Sequence, residues 1–169
     1  MKLRTATLAD APTIEAWDRE PHVIAATGSD DPMYDWRAEL PRTVPWREFL
    51  IAEVVGRPIG MMQIIDPEQE ESHYWGTIAP NLRAIDIWIG SASDHGHGYG
   101  TEMMRRAIGR CFAEPAVTAI LVDPLVRNTG ALRFYERLGF RRIERRMFGE
   151  DDCYVYQLER ADWRAHAKG

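Results

Sequence analysis

Cysteine is scarce in this sequence, with only Cys111 and Cys153 among 169 residues. Two cysteines so placed form no CxxC pair, zinc-finger spacing or secreted disulfide framework. Both read as buried free thiols of a reducing compartment. Long apolar runs are missing too. No segment approaches the roughly 18 apolar residues of a membrane span, and Met1-Lys2-Leu3-Arg4-Thr5 lacks the apolar stretch of a signal peptide. The expected location is the cytoplasm, with no membrane partner. Positive charge is in deficit, and the net charge is −5. Nucleic-acid binding needs clustered Lys and Arg. The one cluster, Arg141, Arg142, Arg145 and Arg146, falls on both faces of a strand and reads as solvated, so no nucleic-acid partner is expected. Repeats, linkers and low-complexity segments are also lacking.

Apolar residues make up 45 % of the chain, enough for one domain over residues 1–169 with a sizeable core. Lys2 to Thr7 reads as a strand. Leu8-Ala9-Asp10 leads into a helix with Leu8, Ile14 and Trp17 as its apolar contacts and Pro12 near its start. Over residues 21–47, Pro21, Gly28, Pro32, Pro41 and Pro45 break up any long element, leaving a short helix over Tyr34 to Leu40. Glu48 to Val55 and Ile59 to Ile65 form a hairpin around a turn at Gly56-Arg57-Pro58. Asp66 to Ser72 is an acidic loop, and Leu82 to Ile89 a strand. Thr101 to Ala113 has helical apolar spacing and stops at Pro115. Val117 to Val122 is β-rich. Asn128 caps a helix that ends at Gly139. Phe140 to Phe148 and Tyr154 to Leu158 are the last strands, before a loose or weakly helical tail from Arg160 to Gly169. This order predicts an α/β fold, a mixed sheet with helices packed on it.

Gly96, Gly98 and Gly100 fall at every second position between a strand and a helix. Glycine allows positive φ and close backbone approach. The N-terminus of the next helix offers free N–H groups and partial positive charge. Together they suit a pyrophosphate, although a plain tight turn uses the same residues. A third glycine at dinucleotide spacing is lacking, as is the Gly-Lys-Ser/Thr of a P-loop.

The stretch His95-Gly96-His97-Gly98-Tyr99-Gly100-Thr101 resembles the cofactor loop of the GNAT superfamily of N-acetyltransferases, which runs Arg/Gln-x-x-Gly-x-Gly/Ala. His95 stands where the family usually has Arg or Gln. Asn128-Thr129-Gly130-Ala131 through Tyr135 to Gly139-Phe140 is similar to the family's Asn-x-x-Ala-x-x-x-Tyr-x-x-x-Gly-Phe helix. The resemblance covers roughly residues 3 to 158. It implies a GNAT-type, mostly antiparallel sheet of six to seven strands flanked by helices. It also implies acetyl-CoA as cofactor, held by Ile87, Trp88, Ile89, His95, Gly96, His97, Gly98, Tyr99, Gly100, Thr101, Asn128 and Ala131, with the arginine cluster within reach of its 3′-phosphate. No metal is expected at the two loop histidines, since further ligands are lacking.

Asp86 shares a strand face with Ala84 and Trp88, opposite Ile85, Ile87 and Ile89. Two readings are open: an edge aspartate facing water, or a carboxylate lining a cleft, which the nearby glycine loop favours. Amine acylation needs such a group, because the amine attacks as the free base. General acid–base help is worth about 10²–10⁴-fold. Tyr135 shares a helix face with Ala131, Phe134 and Leu138, where a core aromatic is the plain alternative. The resemblance implies that it protonates the departing thiolate.

The closest subfamily in resemblance is the aminoglycoside 6′-N-acetyltransferases, with related siderophore-side-chain acylases. The similar stretches are Ile51-Ala52, Arg57-Pro58-Ile59-Gly60, Arg83-Ala84-Ile85-Asp86 and Asp123-Pro124. It implies that Asp86 and Asp123 face a polyamine; Asp-Pro also simply initiates turns. Tyr74 and Trp75 are candidates to stack on a sugar ring, or else core or lid residues. The subfamily carries aromatics where this chain has Ala25-Ala26, and Trp17, Tyr34, Trp36 and Trp46 are candidates to compensate. The expected function is acetyl transfer to a primary amine, of a polycationic aminoglycoside first. The alternatives are a siderophore lysine, metabolite or protein amine, or a non-catalytic acyl-CoA-binding module. No Cys-His or Gly-x-Ser-x-Gly arrangement is present, so transfer is expected to be direct. Either a monomer or a homodimer fits.

Overall fold

A computed structural model describes residues 1–28 and 34–166. Pro32, and the tail beyond residue 166, lie outside the described residues. Seven strands form one sheet in the order β1-β2-β3-β4-β5-β7-β6. They are β1 Lys2–Thr5, β2 Arg47–Val54, β3 Arg57–Ile65, β4 Leu82–Ile89, β5 Ala119–Val122, β6 Arg141–Phe148 and β7 Asp151–Glu159. The helices are α1 Ala11–Trp17, α2 Pro21–Ala26, α3 Trp36–Glu39, α4 Tyr99–Ala113, α5 Thr129–Arg137 and α6 Arg160–His166. Every neighbouring pair is antiparallel except β4 and β5, which run parallel. The architecture is the mostly antiparallel, helix-flanked sheet that the sequence implies.

Strand alternation divides the apolar residues between two faces. On β2, Leu50 and Ala52 join the core under α4, with Met62, Ile85, Met103, Met104 and Ile108. Phe49 and Ile51 point the other way and pack with Ile14, Trp17, Trp36 and Met61. A third cluster gathers Trp46, Trp75, Leu121, Phe148 and Val155.

Several expectations change. Leu8 is 52 % exposed, whereas Ile14 and Trp17 are buried. The stretch read as broken by prolines contains α2. Pro21 sits in its first turn, where the missing N–H costs nothing and the fixed φ suits a helix. Arg57 and Pro58 belong to β3. Pro58 lies next to a register shift between Ala52 and Glu53 and before β4 pairing begins at Gly60, so its missing donor disrupts no ladder there. Trp17, Trp36 and Trp46 are core residues, leaving only Tyr34 of that set half-exposed.

The parallel pair creates the opening that matters most. β4 pairs β5 only through Leu82, Arg83 and Ala84, yet β4 continues to Ile89. From Ile85 onward its β5-side edge has no strand partner among the described residues, so the sheet splays there. Both strands point their carboxyl ends into the gap, which in open α/β sheets is where ligands bind.

Candidate active site

The turn after β4 begins with a short 3₁₀ turn, Ala92–Asp94, capped by the Ser91 side chain, which accepts from the Ser93 N–H. Asp94 is buried and accepts from Arg57 Nη2 and Nη1, at 2.7 and 2.8 Å. This hydrogen-bonded partner holds its carboxyl below the usual range. The pair ties the start of β3 to the base of the glycine loop. Gly96 and Gly98 then take φ of +80° and +79°. Nothing lies within 4 Å of where a Cβ would stand at either position, so the loop is open above its backbone. Gly98 is the N-cap of α4, and the first-turn N–H groups of that 15-residue helix lack intrahelical acceptors. Gly100 differs from expectation: with Tyr99 and Thr101 it lies inside α4, and a Cβ there would make ordinary contact with Phe134.

The loop histidines pack on rings. His97 stacks on Tyr99, and His95 meets His22 edge-on with centroids 4.6 Å apart. Desolvation in that pairing, with His22 nearby, holds His95 below the ordinary imidazole value. His22, which sequence reading overlooked, donates from Nε2 to the Ile89 carbonyl at 2.8 Å and fastens α2 to the end of β4. On the other side of the gap, Asn128 Oδ1 accepts the Ala131 N–H at 3.1 Å and caps α5.

Asp86 lies opposite Gln63 in the β3–β4 register, so both side chains share a face. Gln63 is 3 % exposed and donates through Nε2 to the Tyr34 hydroxyl at 3.3 Å. Burial, and also the nearby Asp86 charge, pushes the Tyr34 hydroxyl up. The Arg47 guanidinium packs over the Phe49, Trp46 and Tyr34 rings and pairs with Glu39. The Trp88 indole N–H, two residues from Asp86 on the same face, is buried with no hydrogen-bond partner among the described residues. Such unsatisfied donors are rare. Gln63 was the one polar residue in the apolar run Ile59 to Ile65, and that interruption was the signal for it.

Tyr135 packs into the cluster under α4 and is 7 % exposed. Burial pushes its hydroxyl well above the ordinary tyrosine value, and the charges of Asp86 and Asp123 add to the rise. Tyr135 and Asp86 come from opposite faces of the sheet, and they sense each other across the splay. Asp123 follows β5 and accepts a 2.7 Å hydrogen bond from the Tyr74 hydroxyl. Asp86 on β4 and Asp123 just after β5 thus flank the splay, and the charges of both reach the Tyr135 hydroxyl. Trp75 is a correction: it is 3 % exposed, packed edge-on against Phe148, with no ring face to offer a sugar. Tyr74 is 40 % exposed.

Residues 6–148 match the acetyltransferase (GNAT) domain family. An aminoglycoside N(6′)-acetyltransferase type 1 from Klebsiella pneumoniae is 30 % identical over 147 residues, covering 83 % of this chain and 73 % of the relative. A lysine N-acyltransferase from Mycolicibacterium paratuberculosis is 31 % identical over 153 residues, covering 82 % of this chain and 64 % of the relative. The crystal structure of aminoglycoside acetyltransferase AAC(6′)-Ib with coenzyme A and kanamycin superposes with a TM-score of 0.86 at 25 % identity, over 98 % of both chains.

Proposed function

The chain belongs to the GNAT acetyltransferase family, and on that premise we propose that it moves an acetyl group from acetyl-CoA to the 6′-amine of an aminoglycoside. The observation that carries the reading is that Asp86 on β4 and Asp123 just after β5 flank the splay between those strands, with the glycine-capped N-terminus of α4 following β4. Relatives that act on aminoglycosides support the acceptor class.

The residues present fit acetyl-CoA. Gly96 and Gly98 leave room for a pyrophosphate against their backbone, and the first turn of α4 supplies N–H groups and partial positive charge. Tyr99, Gly100 and Thr101 contribute as that turn. His95 and His97 flank it, Ile87, Trp88 and Ile89 lie where β4 has no β5 partner among the described residues, with the Ile89 carbonyl held by His22, and Asn128 and Ala131 border the far side. Bound acetyl-CoA supplies an activated thioester. Asp86 holds the acceptor's ammonium, orients it, and takes its proton, directly or through water. Asp123, aided by Tyr74, binds a second cationic or hydroxyl group. The raised Tyr135 hydroxyl stays protonated at neutral pH and gives its proton to the departing sulfur. Holding both reactants side by side adds effective concentration.

Transfer is direct, in a ternary complex. Both cysteines are buried, and burial pushes the Cys111 thiol up to about 12, so it offers no thiolate. Among the described residues no helix is long and apolar enough to cross a membrane. In this reading a single domain works in the cytoplasm, where acetyl-CoA is made and consumed.

The lysine N-acyltransferase relative favours a second reading, acyl transfer to a lysine side-chain amine. Thiol release with acetyl-CoA across a panel of aminoglycosides, lysine derivatives and peptides separates the two. The first reading expects turnover on kanamycin-like sugars. Turnover confined to lysine or peptide amines would replace it with the second, and tight CoA binding without turnover would leave only a binding module.

A further inference from the structure

We propose that Arg146 is a positioning residue that tunes acceptor recognition, by clamping the segment between β3 and β4 so that Tyr74 stays on Asp123. The inference rests on the reading of Asp86 and Asp123 as the acceptor's carboxylates.

Residues 66–81 contain no strand or helix. Connections longer than about 12–15 residues without regular structure are uncommon and often functional. This one is held by contacts distant in sequence. The Tyr74 ring lies flat on Phe148, 4.5 Å between centroids and 7° between planes. Trp75 meets the same ring edge-on. The Arg146 guanidinium packs 4.8 Å from that ring's centroid and donates from Nη2 to the Trp75 carbonyl at 3.0 Å. Gly76, at φ +64°, passes so near that a Cβ there would come within 3.2 Å of Nη2. Glu144 lies 3.9 Å from the other side of the guanidinium.

The four-arginine cluster of β6 thereby divides. Arg145 pairs with Asp152, Arg141 approaches Asp162 and Arg142 packs on Tyr154. These three are exposed, whereas Arg146 is half-buried and turned into the segment. Its planar fork stacks on Phe148 and bonds the Trp75 carbonyl at once. A lysine has a point charge and no plane, so it does only one of these. With Trp75 and Phe148 fixed, the Tyr74 ring is fixed. Its hydroxyl then holds one Asp123 oxygen at 2.7 Å and sets the direction of that carboxylate.

Arg146→Ala is expected to raise the acceptor KM about tenfold, while the acetyl-CoA KM stays within about twofold and kcat changes little. Arg146→Lys is expected to recover only a minor part. Hydrogen exchange over residues 72–78 should quicken in Arg146→Ala, with the strands unchanged. An unchanged acceptor KM, unchanged exchange over 72–78, or a parallel rise of both KM values with a lowered Tm would overturn the proposal. If the wild type acetylates no aminoglycoside, the acceptor reading fails. The clamp is then decided by the exchange rates, and by the KM for whichever amine is turned over.

Discussion

At one end of the splay, the turn from β4 to α4 is built from backbone: Gly96 and Gly98 at positive φ, a capping Ser91 and the start of a helix, all within a dozen residues. At the other end, the wall around Asp86 and Asp123 is built from side chains that meet across the chain. Gln63 bonds Tyr34, 29 positions away; Tyr74 bonds Asp123 across 49, and Arg146 the Trp75 carbonyl across 71. A site made of backbone geometry tolerates varied side chains but not a changed φ. A site made of distant pairs changes partner by single substitutions. The names of the relatives differ at the acceptor, an aminoglycoside in one and a lysine in the other.

The sharpest way to break the donor end is Gly98→Val. No atom lies within 4 Å of a Cβ placed there, so the main cost is conformational, roughly 1–3 kcal/mol for a non-glycine residue forced to stay at such a φ. The loop is expected to abandon its shape, lowering acetyl-CoA affinity more than about 100-fold by calorimetry, with the fold intact and Tm lowered by no more than about 10 °C. An unaltered affinity would remove the glycine cradle from the account.

Asp86→Asn probes the opposite end. Its kcat is expected to fall by about 10²-fold or more, the lower range for lost general-base help, with the acetyl-CoA Kd unchanged. An unchanged kcat would remove Asp86 from the mechanism.

Tyr135→Phe sits between the two ends, with an expected fall in kcat of about tenfold. Its pH signature is specific. The folded state raises this hydroxyl above its ordinary value, so the neutral form is favoured on folding. That stability is fully present below pH about 10, the unfolded tyrosine value, and is lost as pH rises through the higher folded value. Urea denaturation should therefore show the wild type losing more stability above pH about 10 than Tyr135→Phe. Equal losses would contradict the burial of the hydroxyl.

The smallest effect is expected for Asp94→Asn, a few-fold loss of acetyl-CoA affinity with kcat unchanged. Arg57 lowers the Asp94 carboxyl, so the pair's contribution is present above pH about 3.9 and lost as pH falls through the lower folded value. Acid titration of loop order in wild type and variant checks this.

The same contrast explains what could be read from the sequence. β4 runs from Leu82 to Ile89 as its alternation indicates, and Asn128 caps α5 as its position before the apolar spacing suggests. The glycine loop was legible because its chemistry is local. α2 was not, because a proline that breaks most elements also starts helices. Trp75 and Tyr74 are adjacent and look alike in sequence, but only the structure buries Trp75 edge-on against Phe148 and lays Tyr74 flat on the same ring with its hydroxyl on Asp123. The Arg57–Asp94 pair and the Arg146 clamp depend on register and turn paths that no local pattern encodes.

The most direct test of the central claim is the product itself. Kanamycin incubated with acetyl-CoA and the wild-type protein, analysed by mass spectrometry and NMR, should carry one acetyl group on its 6′-nitrogen, with one CoA thiol released per acetyl. Acetylation at another amine, or none under conditions where a lysine or peptide amine is acetylated, would contradict the account.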